Sequence, residues 1–213
     1  MKLALDHLVV AAASLDDGVR WCVATLGLTP GPGGRHPLMG THNRLFSIGG
    51  PGFDEVFFEI IAVDPDAAAP GRARWFGLDA IDLSAGPRLI HWVARTDTLD
   101  AALASWHALG LDAGRAIEAT RDTPDGRLVW RIAVRDDGRL LAGGAWPTLL
   151  AWGDTPHPAR RMPASGVRLR SLTLRRLPRE ALQAQGVSIA DDEGPALTAE
   201  FDTPRGPVVL RSD

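Results

Sequence analysis

The chain has 213 residues, 45% of them hydrophobic, and 23 Lys+Arg set against 26 Asp+Glu for a formal net charge of −3. That length fits one domain, or two small modules packed as one, and that apolar content excludes disorder along the whole chain. The mildly acidic balance excludes a nucleic-acid binder driven by bulk charge. Lys2 is the only lysine and sits at a terminus, which excludes a Schiff-base mechanism. Cys22 is the only cysteine, so no intrachain disulfide and no Cys-rich zinc site can form. Inside a helix it reads as a small core residue. No apolar run approaches the length of a membrane span, and the opening residues Leu3 to His7 lack a signal-peptide core. The expected location is the cytoplasm.

The first element is a strand, Leu5-Asp6-His7-Leu8-Val9. Ser14 can then cap a helix, and Asp17 three residues on completes a capping-box pattern. The helix closes at Thr25-Leu26-Gly27-Leu28, where glycine takes the left-handed position after the last turn. Strands are expected at Leu45–Ile48 and Val56–Val63, divided by Gly49-Gly50-Pro51-Gly52. A connector rich in Ala, Pro and Gly follows, with a short helix near Trp75-Phe76-Gly77.

The pattern then starts again. Leu89-Ile90-His91-Trp92-Val93 matches the first strand, and His7 and His91 are 84 residues apart, as are Asp16 and Asp100. Thr98 stands at the second cap, and the second helix closes at Ala108-Leu109-Gly110-Leu111. Strands are expected at Leu128–Val134 and Thr148–Trp152, after the turn Thr123-Pro124-Asp125-Gly126. Each copy reads β-α-β-β-β. The expected divisions are 1–65 for the first module, 66–86 for the connector, 87–160 for the second module and 161–213 for a partial third module or sheet extension. In that last segment Val167–Leu174, Leu197–Phe201 and Pro207–Leu210 read as strands, and Pro178–Gln185 as a short helix. Its arginines, Arg168 and Arg170 among them, read as a solvated face.

Two paired modules would place His7 and His91 at symmetry-related positions. Glu59 lies inside the apolar run Phe57-Phe58-Glu59-Ile60-Ile61, and a buried carboxylate needs a metal, an arginine or an open cleft to compensate it. Two imidazoles and a carboxylate form a common divalent-metal set. No Gly-x-Ser-x-Gly elbow and no phosphate-binding loop is present. His107 reads as a surface residue or core filler and His157 as a loop residue.

The duplication, the opening Leu-Asp-His-Leu-Val, the helix end running from Leu26 to Pro30 and the strand from Phe58 to Pro65 resemble the vicinal oxygen chelate superfamily. Within it, the run from Gly33 to Leu45 resembles the glyoxalase-like domain family of bacterial proteins. The resemblance implies an α+β fold whose duplicated modules form a cupped, mostly antiparallel sheet around a divalent metal (Zn, Mn, Fe or Ni), with no organic cofactor. His7, Glu59 and His91 match three metal-ligand positions. The fourth falls in Thr148–Trp152, with Ala151 or a neighbour at the ligand place, and this departs from the four-ligand glyoxalase I pattern. Glu59 and His36 are the expected catalytic groups, and Arg35, Thr41, His42 and Asn43 the expected substrate contacts.

The implied activity is metal-assisted isomerase, lyase or dioxygenase chemistry on a small oxygenated metabolite, through an enolate or oxyanion. The alternative is a non-catalytic protein that sequesters a small molecule. No nucleic-acid or membrane partner is expected. The modules pair within the chain or across a homodimer, and the short connector favours the former.

Overall fold

The computed structural model describes residues 2–123 and 126–212. The turn expected at Thr123–Gly126 falls partly on Pro124 and Asp125, outside the described residues. The first half runs β1 (Leu3–Ala11), α1 (Leu15–Leu26), β2 (Arg35–His36), β3 (Thr41–Ser47) and β4 (Phe57–Val63). A 3-10 turn at Trp75–Gly77 interrupts the connector. The second half runs β5 (Arg88–Arg95), α2 (Leu99–Ala108), β6 (Arg115–Thr123), β7 (Gly126–Val134) and β8 (Thr148–Ala151). The fold is α+β with a repeated β-α-β-β-β unit.

Local chemistry explains most boundaries. The Ser14 Oγ accepts the Asp17 N–H at 3.1 Å, and Gly27 (φ 76°) closes α1 in the left-handed conformation. Thr98 makes no such cap on α2. Its own N–H is held instead by Thr96 Oγ1 at 3.3 Å. Strand β6 was not expected from the sequence, because its charged run buries only Ala119. It is a strand by pairing, with every residue from Arg115 to Thr123 opposite one on β7.

The main sheet has the order β2-β3-β4-β1-β5-β8-β7-β6. Strands β1 and β5 meet antiparallel at its centre, with His7 opposite Val93 and Val9 opposite His91. Strand β4 runs parallel to β1, and β8 parallel to β5. The halves are thus related by a pseudo-twofold axis between the two central strands, within one chain.

Each central strand carries a bulge at the same place. The pairing slips between Leu5 and His7 on β1, and again opposite Val9 and Val10, where Ile90 is the extra residue on β5. Leu5 and Leu8 both face the back core, so Asp6 and His7 both point into the cup. By the same device Leu89 and Trp92 face the back, while Ile90 and His91 face the cup.

The C-terminal segment contributes β9 (Arg168–Leu174), β10 (Ala184–Gln185), β11 (Val187–Ile189), β12 (Leu197–Thr203) and β13 (Gly206–Arg211). Four of these form a second sheet ordered β11-β9-β12-β13, while β10 joins the main sheet beside Leu3 and Ala4. The helix expected at Pro178–Gln185 does not form. A helix that short lacks intrinsic stability, and the chain instead extends so that Ala184 and Gln185 pair with the start of β1.

Two cores result. The back core joins the sheet to α1, α2 and the second sheet through Leu8, Phe58, Trp92, Cys22, Trp106 and Phe201. The cup core holds Val9, Ile61, Val93, Ile132 and Leu150, capped by Trp75 and Phe76 from the connector. Among the described residues no helix is long and apolar enough to cross a membrane.

Candidate active site

The bulge in β1 sets adjacent acidic and basic side chains side by side. Asp6 is wholly buried, and its Oδ1 accepts from His7 Nδ1 at 2.6 Å. Its other oxygen accepts from the Trp152 indole at 2.8 Å and from His157 Nε2 at 3.0 Å. His157 Nδ1 accepts the Ala159 N–H, which fixes the His157 proton on Nε2. Three donors therefore converge on one buried carboxylate.

His7 stacks on Phe57, with ring centroids 4.5 Å apart, and turns its Nε2 towards Glu59 Oε2 at 3.5 Å. Glu59 stands on β4 in register with Val9, so its side chain shares the cup face. Its Oε1 accepts from Asn43 Nδ2 at 2.6 Å. The Asn43 side-chain Oδ1 accepts from the Gly34 N–H at 2.9 Å and from Arg121 Nη1 at 3.0 Å. His36 shares a hydrogen bond with Thr41 Oγ1 at 3.1 Å and lies edge-on to Trp75 and Trp130.

Burial and bonding set the ionisation of this cluster. Burial opposes charge on His7, but its bonds to Asp6 and Glu59 more than offset this and lift its pKa to about 9. Burial likewise raises Asp6, yet its bonds with His157 and His7 hold it well below the usual carboxylate range. Glu59 is also held below its ordinary value, the bond and charge of His7 outweighing desolvation. Burial pushes His36 down to about 4, with Glu59 only partly countering it. At neutral pH the chamber is lined by one carboxylate, one imidazolium, one neutral imidazole and the Arg121 guanidinium, with the Asp6 carboxylate buried behind His7.

The model of the glyoxalase-like domain family matches residues 5–189. The chain belongs to the glyoxalase-like domain family. Among solved structures, a hypothetical protein from Staphylococcus aureus is 15% identical with a TM-score of 0.59, the match covering 98% of this chain and 85% of that one. Methylmalonyl-CoA epimerase from Mycobacterium tuberculosis is 20% identical with a TM-score of 0.43, covering 74% and 91%. A Streptomyces coelicolor methylmalonyl-CoA epimerase variant in complex with 2-nitronate-propionyl-CoA is 17% identical with a TM-score of 0.45, covering 74% and 100%. No curated protein sequence matches the chain.

This glyoxalase-like domain brings together only part of the expected site. His7, Glu59, His36 and Asn43 line one chamber, and Thr41 supports His36 from behind. Arg35 and His42 lie outside it, gathered around Asp64 at 3.0 and 3.9 Å. Along β3 the side chains alternate, so with Asn43 turned inward His42 faces away.

His91 does not join His7 and Glu59. Its Nε2 accepts the Thr148 N–H at 3.0 Å and its Nδ1 donates to the Gly144 carbonyl at 2.9 Å. It lines a separate cavity, and burial pushes its pKa down to about 3. Trp75 and Phe76 line both cavities and so form the wall between them. Phe76 holds a left-handed backbone (φ 59°), costly for an aromatic residue, with its ring 5.5 Å from His91.

The symmetry also relocates the fourth ligand position. Glu59 pairs with Val9, and Thr148 pairs with Val93 in the same relation, so the counterpart of Glu59 is Thr148 and not Ala151. A catalytic divalent ion commonly takes three protein ligands. Here His7 and Glu59 supply two, and among the described residues no group of three His, Cys, Asp or Glu could hold a metal. The donor set does not fit the expected ion.

Sequence reading missed Asp6, Arg121, Trp130 and Trp152, and took His157 for a loop residue. Asp6 had a local signal, an acid directly before His7 in an apolar strand. Arg121 had none, since it lies on the strand that only pairing reveals.

Proposed function

We propose that this chain is a proton-transfer enzyme of the isomerase kind, acting on a carbon next to a carbonyl. The observation that supports this most is Glu59, an ionised carboxylate buried in an aromatic chamber beside two cations and a neutral imidazole. Glu59 would take the proton, so that a C–H bond breaks and a carboxyl O–H forms. The electron pair moves onto the carbonyl oxygen as an enolate, and return of the proton to a different position or face completes the reaction.

Charge balance favours this step. Glu59 and the buried Asp6 behind the wall are offset by His7 and Arg121, so a neutral carbonyl enters a site whose buried charges cancel. As Glu59 becomes neutral, the enolate takes over its charge between the same cations. Asn43 fixes Oε1 at 2.6 Å, while the longer 3.5 Å contact from His7 leaves Oε2 available to a substrate. His36, neutral near pH 7, accepts from Asn43 Nδ2 at 3.4 Å and so holds the amide that also bonds Glu59. No step is routed through a metal, because the donors do not fit one.

The test is solvent exchange. Short 2-oxo acids and hydroxyketones are incubated with the protein in deuterated water, and wash-in of deuterium next to the carbonyl is followed by NMR. Glu59→Gln should cut the rate by a factor of about 10² to 10⁴. No exchange with any compound, or full exchange by the variant, sinks the proposal. The tryptophans Trp75, Trp130 and Trp152 around the chamber also suit a protein that only sequesters its ligand. Tight binding without exchange would establish that second reading.

A further inference from the structure

The chamber around Glu59 has a volume of only about 40 Å³. By the same measure one water occupies roughly 10–15 Å³, so the chamber admits a few heavy atoms. A groove of about 1080 Å³ lies directly against it. The two share Leu45, Arg121, Leu128, Trp130, Trp152 and Pro158 as common wall. The groove runs between the β6–β7 hairpin, the start of α2 and the segment after β8 that reaches Met162.

Arg121 stands at the junction of the two spaces. Its Nη1 donates to Asn43, while its Nε is buried without a partner. Along the groove Arg131 and Arg127 are matched to acids, and the lining acids Asp97, Glu118 and Asp154 are exposed to solvent. Arg131 makes two 2.8 Å bonds to Asp100, and Arg127 faces Asp122 at 3.5 Å. Between these pairs the walls are largely apolar, with Leu128, Val129, Trp130, Trp152 and Met162. Such walls suit hydrocarbon, and the lining acids Asp97, Asp100, Glu118 and Asp154 disfavour a polyanion such as a nucleotide.

We propose that the groove is a second subsite, which takes the apolar body of an amphipathic 2-oxo carboxylic acid. The carbonyl sits in the chamber, the carboxylate meets Arg121 at the junction, and a chain of several methylenes lies along Trp130 and Trp152 towards Met162. The placement of the carbonyl rests on the proton-transfer reading. The placement of the body rests on the groove alone.

The test is binding, separate from turnover. Straight-chain 2-oxo acids of about four to about twelve carbons are titrated by calorimetry into the Glu59→Gln variant and into the unaltered protein. Each added methylene should tighten Kd about fourfold until the groove is filled. Met162→Glu should flatten the dependence at the long end, and Arg121→Gln should weaken every member about tenfold or more. A Kd independent of chain length, no binding by any member, or unchanged affinity in Arg121→Gln overturns the proposal. A steep dependence in Glu59→Gln, with no deuterium exchange by the unaltered protein, would keep the subsite while removing the proton-transfer reading.

Discussion

Asp6→Asn is the perturbation that tests the buried charge cluster most directly. His7 has a pKa of about 9 in the folded protein against 6.5 when unfolded. A raised folded-state value contributes stability that is present in full below pH 6.5 and is lost as pH climbs through 9. At 1.36 kcal/mol per unit, the contribution is at most about 3 kcal/mol. In Asp6→Asn the Oδ2 acceptor for Trp152 and His157 is replaced and the ion pair with His7 is lost. The His7 pKa should then fall towards 6.5, and the fold should lose about 3 kcal/mol at pH 6.5. Urea unfolding followed by tryptophan fluorescence at pH 6.5, 8 and 9 measures both effects. A Cys22→Ala background removes a thiol whose pKa, pushed up to about 12 by burial, would add its own slope near pH 9. The unaltered charge cluster should lose stability steadily across this window, and Asp6→Asn should be flatter and lower. Equal slopes for the two proteins, or a flat profile for both, would refute the assignment of His7 as a buried imidazolium.

Below pH 6.5 the sign reverses, because His36 and His91 have folded-state values near 4 and 3 and bind protons only on unfolding. Their stabilisation is complete above pH 6.5 and is lost as pH falls towards 4, so the urea midpoint should drop by an amount worth several kcal/mol on acidification. Gly33→Ala should disrupt the site, since an added Cβ would lie 1.9 Å from the Asn43 carbonyl. Ligand affinity and thermal midpoint should both fall, and a variant with normal values for both contradicts the close approach. His91→Gln should cost about 1–3 kcal/mol through the bonds to Gly144 and Thr148, yet leave deuterium exchange within a few-fold of the parent. Exchange lost without loss of stability would return His91 to the site.

Strands β1 and β5 were legible because their sequences repeat at fixed spacing, and the family resemblance then implied the cupped sheet and a common site for His7 and Glu59. Helix α1 was legible from Ser14 and Gly27. Strand β6 was not, because a strand that buries one alanine shows no period. The assignment of His91 failed for a different reason. Equal spacing predicts equal position, and His91 does occupy the place related to His7. Its surroundings differ, with Thr148 where the first half has Glu59 and Ile90 where it has Asp6. Those substitutions become comparable only once the register of β8 on β5 is known. The Gly33-Gly34 pair opens the run that resembles the family. Its real constraint is contact, since Asn43 and the Arg121 side chain leave no room for a Cβ at either position.

The pseudo-twofold axis has one further consequence. In an assembly of two identical modules, every substitution is made twice, once on each side of the axis. A chain that carries both modules in sequence is released from that rule. One bulge can hold an acid that ionises a histidine, while its mirror position holds isoleucine and a histidine tied into the backbone. The protein therefore keeps the mechanical benefit of a symmetric cup while confining its charged machinery to one side. An alteration at Thr148 or Ile90 can reshape the quiet half without a matching change around Glu59.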